Sequence, residues 1–313
     1  MKFFLVCLAF YVADLCSIFA GQVIPAREGY LVENRVGYGE YVAVGDLNGD
    51  KIDDVVYSIP LGFQVVYGAK QIEGVNKTDY KVEINVDYSK LDFENGDLGS
   101  LAILPLIVKD INKDGFADII LAIPMIGKVY VFAGSQTKKS GEFNESSAVN
   151  VIGITDEFFG SDIVVFDRHG DSNWDLAVGA PSHKEGLGAV YVYENPISSS
   201  SNVLLISGNI LEEGMGLRLA AYDFDGDGKE ELISSGINVR VLYADAKGTT
   251  TASATSMLLL ELDDKSFANS LAAMDLFNAK KTTKTLFIAS QNLGKTYGFH
   301  YDQWNKTVMS GFS

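Results

Sequence analysis

The sequence predicts an all-β protein, a propeller of about five blades with four strands each. Three observations carry this expectation. The composition sets 31 glycines, 15 tyrosines and 18 phenylalanines against 6 prolines; a unit that carries an Asp-rich segment in all but its last copy returns about every 57 residues; and strand-like apolar runs fill each return. Glycine supplies tight turns and aromatic residues suit pleated, half-buried surfaces, so this composition favours many short strands over helices. With 313 residues and 47% hydrophobic content the chain has enough apolar surface for a proper core.

Taken in order, the chain begins with the charged Lys2, an apolar run and the small Ala20, the layout of a secretory signal. Residues 1–20 are therefore expected to be a signal peptide, and 21–313 a single secreted, extracellular domain. Cys7 and Cys16 both fall inside that signal, so the mature domain is expected to hold no disulfide although it passes through an oxidising compartment. Three sequons, at Asn76, Asn144 and Asn305, lie in polar stretches and are expected glycan acceptors. No later segment reaches membrane-spanning length, so no membrane span is expected.

The repeats come next. The first, near 36–68, runs from Tyr38-Gly39 through the acidic segment 46–54 to Val55-Val56-Tyr57-Ser58-Ile59-Pro60 and Gln64-Val65-Val66-Tyr67-Gly68. The second, near 97–134, has Leu98-Gly99, the acidic segment 110–118, Ile119-Ile120-Leu121-Ala122-Ile123-Pro124 and Gly127-Lys128-Val129-Tyr130-Val131-Phe132. The third, near 158–194, has Phe159-Gly160, the segment 167–175, Leu176-Ala177-Val178-Gly179-Ala180-Pro181 and Gly188-Ala189-Val190-Tyr191-Val192-Tyr193. The fourth, near 214–243, has Met215-Gly216, the segment 223–231, Leu232-Ile233-Ser234-Ser235-Gly236 and Val239-Arg240-Val241-Leu242-Tyr243. A fifth, near 266–300, keeps the apolar frame but has lost the acidic segment. Each unit supplies an inner strand, an acidic hairpin, two apolar strands and an outer strand such as 80–86 or 203–206, which is one propeller blade. The connectors 195–201 and 248–252 read as flexible loops.

The spacing inside the acidic segments has a chemical reason. Oxygens at loop positions one, three, five and nine, with the backbone carbonyl at seven, can converge on a hard cation of calcium size. The first loop offers Asp46, Asn48, Asp50, the Ile52 carbonyl and Asp54; the second offers Asp110, Asn112, Asp114, the Phe116 carbonyl and Asp118. The fourth offers Asp223, Asp225, Asp227, the Lys229 carbonyl and Glu231. In the third, Asp167, Asp171, the Asn173 carbonyl and Asp175 keep the pattern while His169 stands at position three, so this loop is expected to hold calcium more weakly. An EF-hand would need Glu at position twelve and flanking helices; Tyr57, Leu121, Val178 and Ser234 occupy that position.

Phe159-Gly160, the acidic loop, Gly179-Ala180-Pro181 and Gly188-Ala189-Val190-Tyr191-Val192 together resemble the FG-GAP repeats of the integrin α-subunit propeller, and the resemblance extends over about residues 30–300. It implies repeats that straddle two blades, calcium loops on one face and ligand-binding loops on the other. Integrin propellers have seven repeats and five are found here. Either five blades close on themselves, with 21–24 or 307–312 completing a blade, or a partner chain completes the ring.

The charge balance narrows the function. With 25 Lys and Arg against 41 Asp and Glu, the net charge is −16 and the pI about 4.6, which disfavours nucleic acid and anionic membranes as partners and favours cations. The expected function is a calcium-stapled binding or adhesion module for an extracellular protein or glycan. The alternative is a secreted hydrolase or lyase acting on an extracellular polymer. No catalytic motif supports the alternative: there are three histidines, His169, His183 and His300, and no Gly-x-Ser-x-Gly elbow.

Overall fold

The apolar runs that follow the acidic segments are continuous, and β6 (Asp118–Ile123) and β10 (Asp175–Ala180) are buried along their whole length; with the runs before those segments they pair as antiparallel hairpins. The computed structural model describes residues 41–59, 62–68, 80–83, 104–135, 148–155, 157–195, 197, 201–242, 249–251, 256–261, 270–276, 283–290 and 295–301. The signal segment, the closing segments 21–24 and 307–312 and the sequon asparagines Asn76, Asn144 and Asn305 lie outside the described residues. All described residues belong to one unit, Gly37–Ser313.

Sheet one contains β1 (Val42–Gly45), β2 (Asp54–Ile59), β3 (Gly62–Val66) and β4 (Tyr80–Glu83); sheet two contains β5 (Leu106–Lys109), β6 (Asp118–Ile123), β7 (Lys128–Phe132) and β8 (Asn150–Gly153). Sheet three has β9 (Ile163–Phe166), β10 (Asp175–Ala180), β11 (Ala189–Tyr193) and β12 (Val203–Ser207). Sheet four has β13 (Arg218–Tyr222), β14 (Glu231–Ser235), β15 (Asn238–Leu242) and β17 (Ser256–Glu261), and sheet five has β18 (Ser270–Leu276), β19 (Thr283–Ser290) and β20 (Lys295–Tyr301). Within these sets every pairing is antiparallel, and all but that of β15 with β17 join strands consecutive in the chain.

The first strands of successive sheets touch in order: β1 against β5, β5 against β9, β9 against β13 and β13 against β18. Nearly all-β structure in several four-stranded antiparallel sheets is what a β-propeller requires. The core lies between neighbouring sheets. Val56 and Phe63 of sheet one pack with Ile119, Leu121 and Phe132 of sheet two, and Ile233 and Val239 of sheet four pack with Leu286 and Ile288 of sheet five.

One connector differs from expectation. Thr249–Thr251, read from sequence as part of a flexible loop, forms β16 and pairs in parallel with β12, so a segment between β15 and β17 of sheet four covers the outer edge of sheet three. An uncovered strand edge presents unpaired backbone groups, and this strap supplies them partners while joining two sheets.

The two halves of the repeated motif meet for a steric reason. Gly160 and Gly216 both have φ above +90°, a region that suits glycine. A Cβ on Gly179 would lie 1.9 Å from the Gly216 carbonyl, so the Gly-Ala-Pro glycine lets the next sheet approach. Phe159 beside Gly160 is fully buried, edge-on to Tyr191 and Tyr193.

Candidate functional site

Each acidic segment links the first and second strands of its sheet, and all four fold the same way. The carboxylate at position one accepts the backbone N–H of position six: Asp46 from Lys51, Asp110 from Gly115, Asp167 from Ser172 and Asp223 from Gly228. Positions four and six are left-handed in every copy, including the non-glycine residues Lys51, Lys113 and Ser172. The carboxylate at position five accepts the N–H of position seven in all four, as Asp50 does from Ile52 at 2.8 Å and Asp227 from Lys229 at 2.8 Å.

Position nine starts the second strand and is buried in each sheet. Asp54 accepts Leu47 N–H and Gly68 N–H at 2.9 Å each, and Asp118 accepts Ile111 N–H at 3.1 Å and Gly134 N–H at 3.0 Å. Glu231 accepts Phe224 N–H at 2.9 Å. These acids tie the loop to its own sheet. Burial pushes the carboxyls of Asp54 and Asp118 up to about 6 and that of Glu231 up to about 7, against the lowering pull of the N–H donors.

The third loop departs from this pattern. Asp175 Oδ1 accepts Asn195 N–H, but Asp175 Oδ2 is buried without a hydrogen-bond partner and lies 3.8 Å from His169 Nε2. In the fourth loop carboxylate oxygens of Asp223, Asp225 and Asp227 lie within 4.8 Å of one another; among the described residues this is the one such group of three. Closely spaced carboxylates of this kind, and an orphaned buried carboxylate oxygen, are the donor set that a hard cation satisfies. Asn48 and Asn112 each accept the N–H of the aspartate two residues on, Asp50 and Asp114.

The opposite ends of the same strands carry a different surface. Around sheet three, the segment before β9, the turn after β10 and the segment before β13 are bonded together: Ser182 N–H to the Glu157 carbonyl, Gly214 N–H to Gly186 and Met215 N–H to Leu187. Phe158, Ile210 and Leu211 project from this end, Leu211 being 64% exposed. Phe158, Lys184, Glu185 and Glu212 all have positive φ without being glycine.

Two carboxylates, the half-buried Glu157 and the buried Glu213, hold that end in place. Glu157 accepts the Tyr191 hydroxyl at 2.6 Å and has His183 Nδ1 at 2.8 Å, while His183, 5% exposed, leaves Nε2 without a hydrogen-bond partner. In sheet four Glu213 accepts Arg240 Nε at 2.6 Å and Asn238 Nδ2 at 3.1 Å. The pairing registers place Arg240 opposite Ser234 as Tyr191 is opposite Val178, so these are one device repeated. Sequence reasoning missed it. The available signal was that Glu157 and Glu213 each stand two residues before the repeat's first aromatic or apolar residue and glycine, Phe159-Gly160 and Met215-Gly216.

No family model matches the chain. Over 147 residues it is 36% identical to phosphatidylinositol-glycan-specific phospholipase D of Mus musculus, a match covering 40% of this chain and 17% of that protein. It is 32% identical over 131 residues to integrin alpha-7 of Mus musculus, covering 39% of this chain and 10% of that one. It is 27% identical over 232 residues to integrin alpha-5 of Xenopus laevis, covering 66% and 20%. These likenesses bear out the resemblance to integrin α-type propeller repeats, and the matches span a fifth or less of each relative's length. A solved structure of an Agrocybe aegerita lectin aligns with a TM-score of 0.42 and 15% identity over 80% of this chain and 63% of its own, too distant to bear on function.

Proposed function

We propose that the protein is a secreted, calcium-stapled binding or adhesion module, its four acidic loops holding calcium at one end of the sheets and its opposite end engaging an extracellular protein or glycan. The observation that carries this reading is the division of labour along each strand. One end of sheet three carries the loops with carboxylates at calcium spacing, and the other carries Phe158, Ile210 and Leu211 exposed on a braced surface. Exposed apolar side chains on such a surface mark interaction sites. Likeness to integrin alpha chains supports an adhesion role, and the calcium loops are supported by the fourth loop's three converging carboxylates.

The ring is proposed to close with five blades. Val42 and Val44 of β1 and Met274 of β18 are exposed, on faces that the other first strands bury against a neighbouring sheet, and closure brings these faces together. The hydrolase alternative receives no support from His183 of sheet three, since it and Tyr191 are shut away from solvent.

Binding of the purified protein to arrays of glycans and extracellular-matrix proteins, in about 1 mM calcium, tests the reading. It predicts at least one ligand whose binding falls when Leu211→Asp is introduced without loss of thermal stability. A bound ligand indifferent to Leu211→Asp and Phe158→Asp counts against the assigned surface.

A further inference from the structure

In sheets two and four the residue just before the position-nine acid reaches back to the first aspartate of the preceding sheet's loop. Ala117 N–H donates to the Asp46 carbonyl at 2.8 Å, and Glu230 N–H donates to the Asp167 carbonyl at 2.9 Å. In sheet five the acidic loop is missing, yet the same position is filled. Leu232 of β14 faces sheet three and Leu286 of β19 faces sheet four, so Lys284, two residues before Leu286, stands where Glu230 stands before Leu232. Lys284 Nζ donates to the Asp223 carbonyl and lies 3.4 Å from Asp223 Oδ2.

The chemistry of that position differs from loop to loop. Behind the first loop it is an uncharged Ala117; behind the third it is Glu230, whose Oε2 accepts the Asp167 N–H at 2.7 Å. Behind the fourth it is an ammonium whose side chain is only 18% exposed, against an Asp223 that is 27% exposed. The Tyr222 ring lies 5.3 Å from Nζ, within reach of a cation–π contact, and a Cβ on Gly226 of the loop would lie 3.9 Å from it. A positive charge thus already stands at the edge of the group formed by Asp223, Asp225 and Asp227.

We propose that Lys284 is a tethered cation that competes with calcium for the fourth loop, so that an ion entering there displaces the lysine of sheet five from Asp223. The inference rests on the reading of these loops as calcium sites. It gives an order of affinity that the loop sequences alone do not: the fourth loop has the fullest set of carboxylates but starts partly neutralised, while Glu230 adds a carboxylate beside the third. It also makes the contact between sheets four and five responsive to calcium concentration.

The full chain, stripped with chelator, is titrated with calcium by calorimetry and melted with and without the ion, as wild type and as Lys284→Met, Lys284→Gln and Lys284→Arg. The two neutral variants are expected to tighten one site by about three- to tenfold and to melt below the wild type in chelator, having lost their internal counter-charge. Lys284→Arg is expected to bind as the wild type does, and Asp227→Ala in the Lys284→Met background to erase the gain. Calcium heats that are the same in wild type, Lys284→Met and Lys284→Gln would overturn the inference while leaving the calcium reading intact. No calcium binding by any of the proteins would overturn both.

Discussion

Glu230 and Asp167 clasp each other across the boundary between sheets three and four. The Glu230 N–H donates to the Asp167 carbonyl at 2.9 Å, and the Asp167 N–H donates to Glu230 Oε2 at 2.7 Å. Glu230→Ala removes the side-chain acceptor and leaves a half-buried N–H without it, a loss of about 1–3 kcal/mol. Glu230→Gln keeps an acceptor oxygen and should lose less. Urea unfolding of the two variants in chelator checks the order, and equal stability of Glu230→Ala and wild type would show that the clasp contributes nothing.

Glu213 and Arg240 make a second prediction. Both are buried, at 2.6 Å, so removing one partner strands a charge in the interior. Glu213→Ala should destabilise the protein by about 3–5 kcal/mol, far more than a surface substitution such as Lys113→Ala. Denaturant midpoints measure the difference, and a loss below about 1 kcal/mol would mean that Arg240 finds solvent or another partner at little cost.

The metal-free protein should become more stable on mild acidification. Burial raises Asp54, Asp118 and Asp162 to about 6 and Glu231 to about 7, above the ordinary carboxylate range of the unfolded chain. The folded form therefore takes up protons first; the stability these groups contribute is complete below about pH 4 and is lost as pH rises through about 6 to 7. Relief of the net charge of −16 acts in the same direction. Melting in chelator should be higher at pH 5.5 than at pH 7.5, and a lower value at pH 5.5 would contradict the assignment.

Ring closure is open to cross-linking. Val44→Cys with Met274→Cys, in a chain whose Cys7 and Cys16 are replaced by serine, should be joined within one molecule by a short bismaleimide. Cross-linked dimers in place of monomers would point instead to a second chain on these faces.

Much of this organisation is legible in the sequence because it is local. The acidic segments announce their turns through Asp, Asn and Gly at fixed spacing, and the flanking segments announce strands through short continuous apolar runs. What escapes is tertiary. Thr249–Thr251 has no apolar run, and becomes a strand because an uncovered edge of β12 is within its reach. Glu157 and Glu213 read as ordinary surface acids until the segment before each sheet folds them onto Tyr191 and Arg240. Lys284 reads as one residue of a polar Lys-Thr run, and its meaning comes from Asp223 sixty-one positions away.

The most direct test of the central claim is calorimetric melting of the purified, untagged protein in chelator and in about 1 mM calcium. Sites with dissociation constants on the order of 0.1 to 1 mM would each add about 0.4 to 1.4 kcal/mol, and four together about 2 to 6 kcal/mol, a large share of a domain's usual margin. The account predicts a melting temperature many degrees higher in calcium, poorly reproduced by magnesium and reduced by Asp50→Ala or Asp227→Ala. No difference between chelator and calcium would mean that the four loops are acidic turns and nothing more.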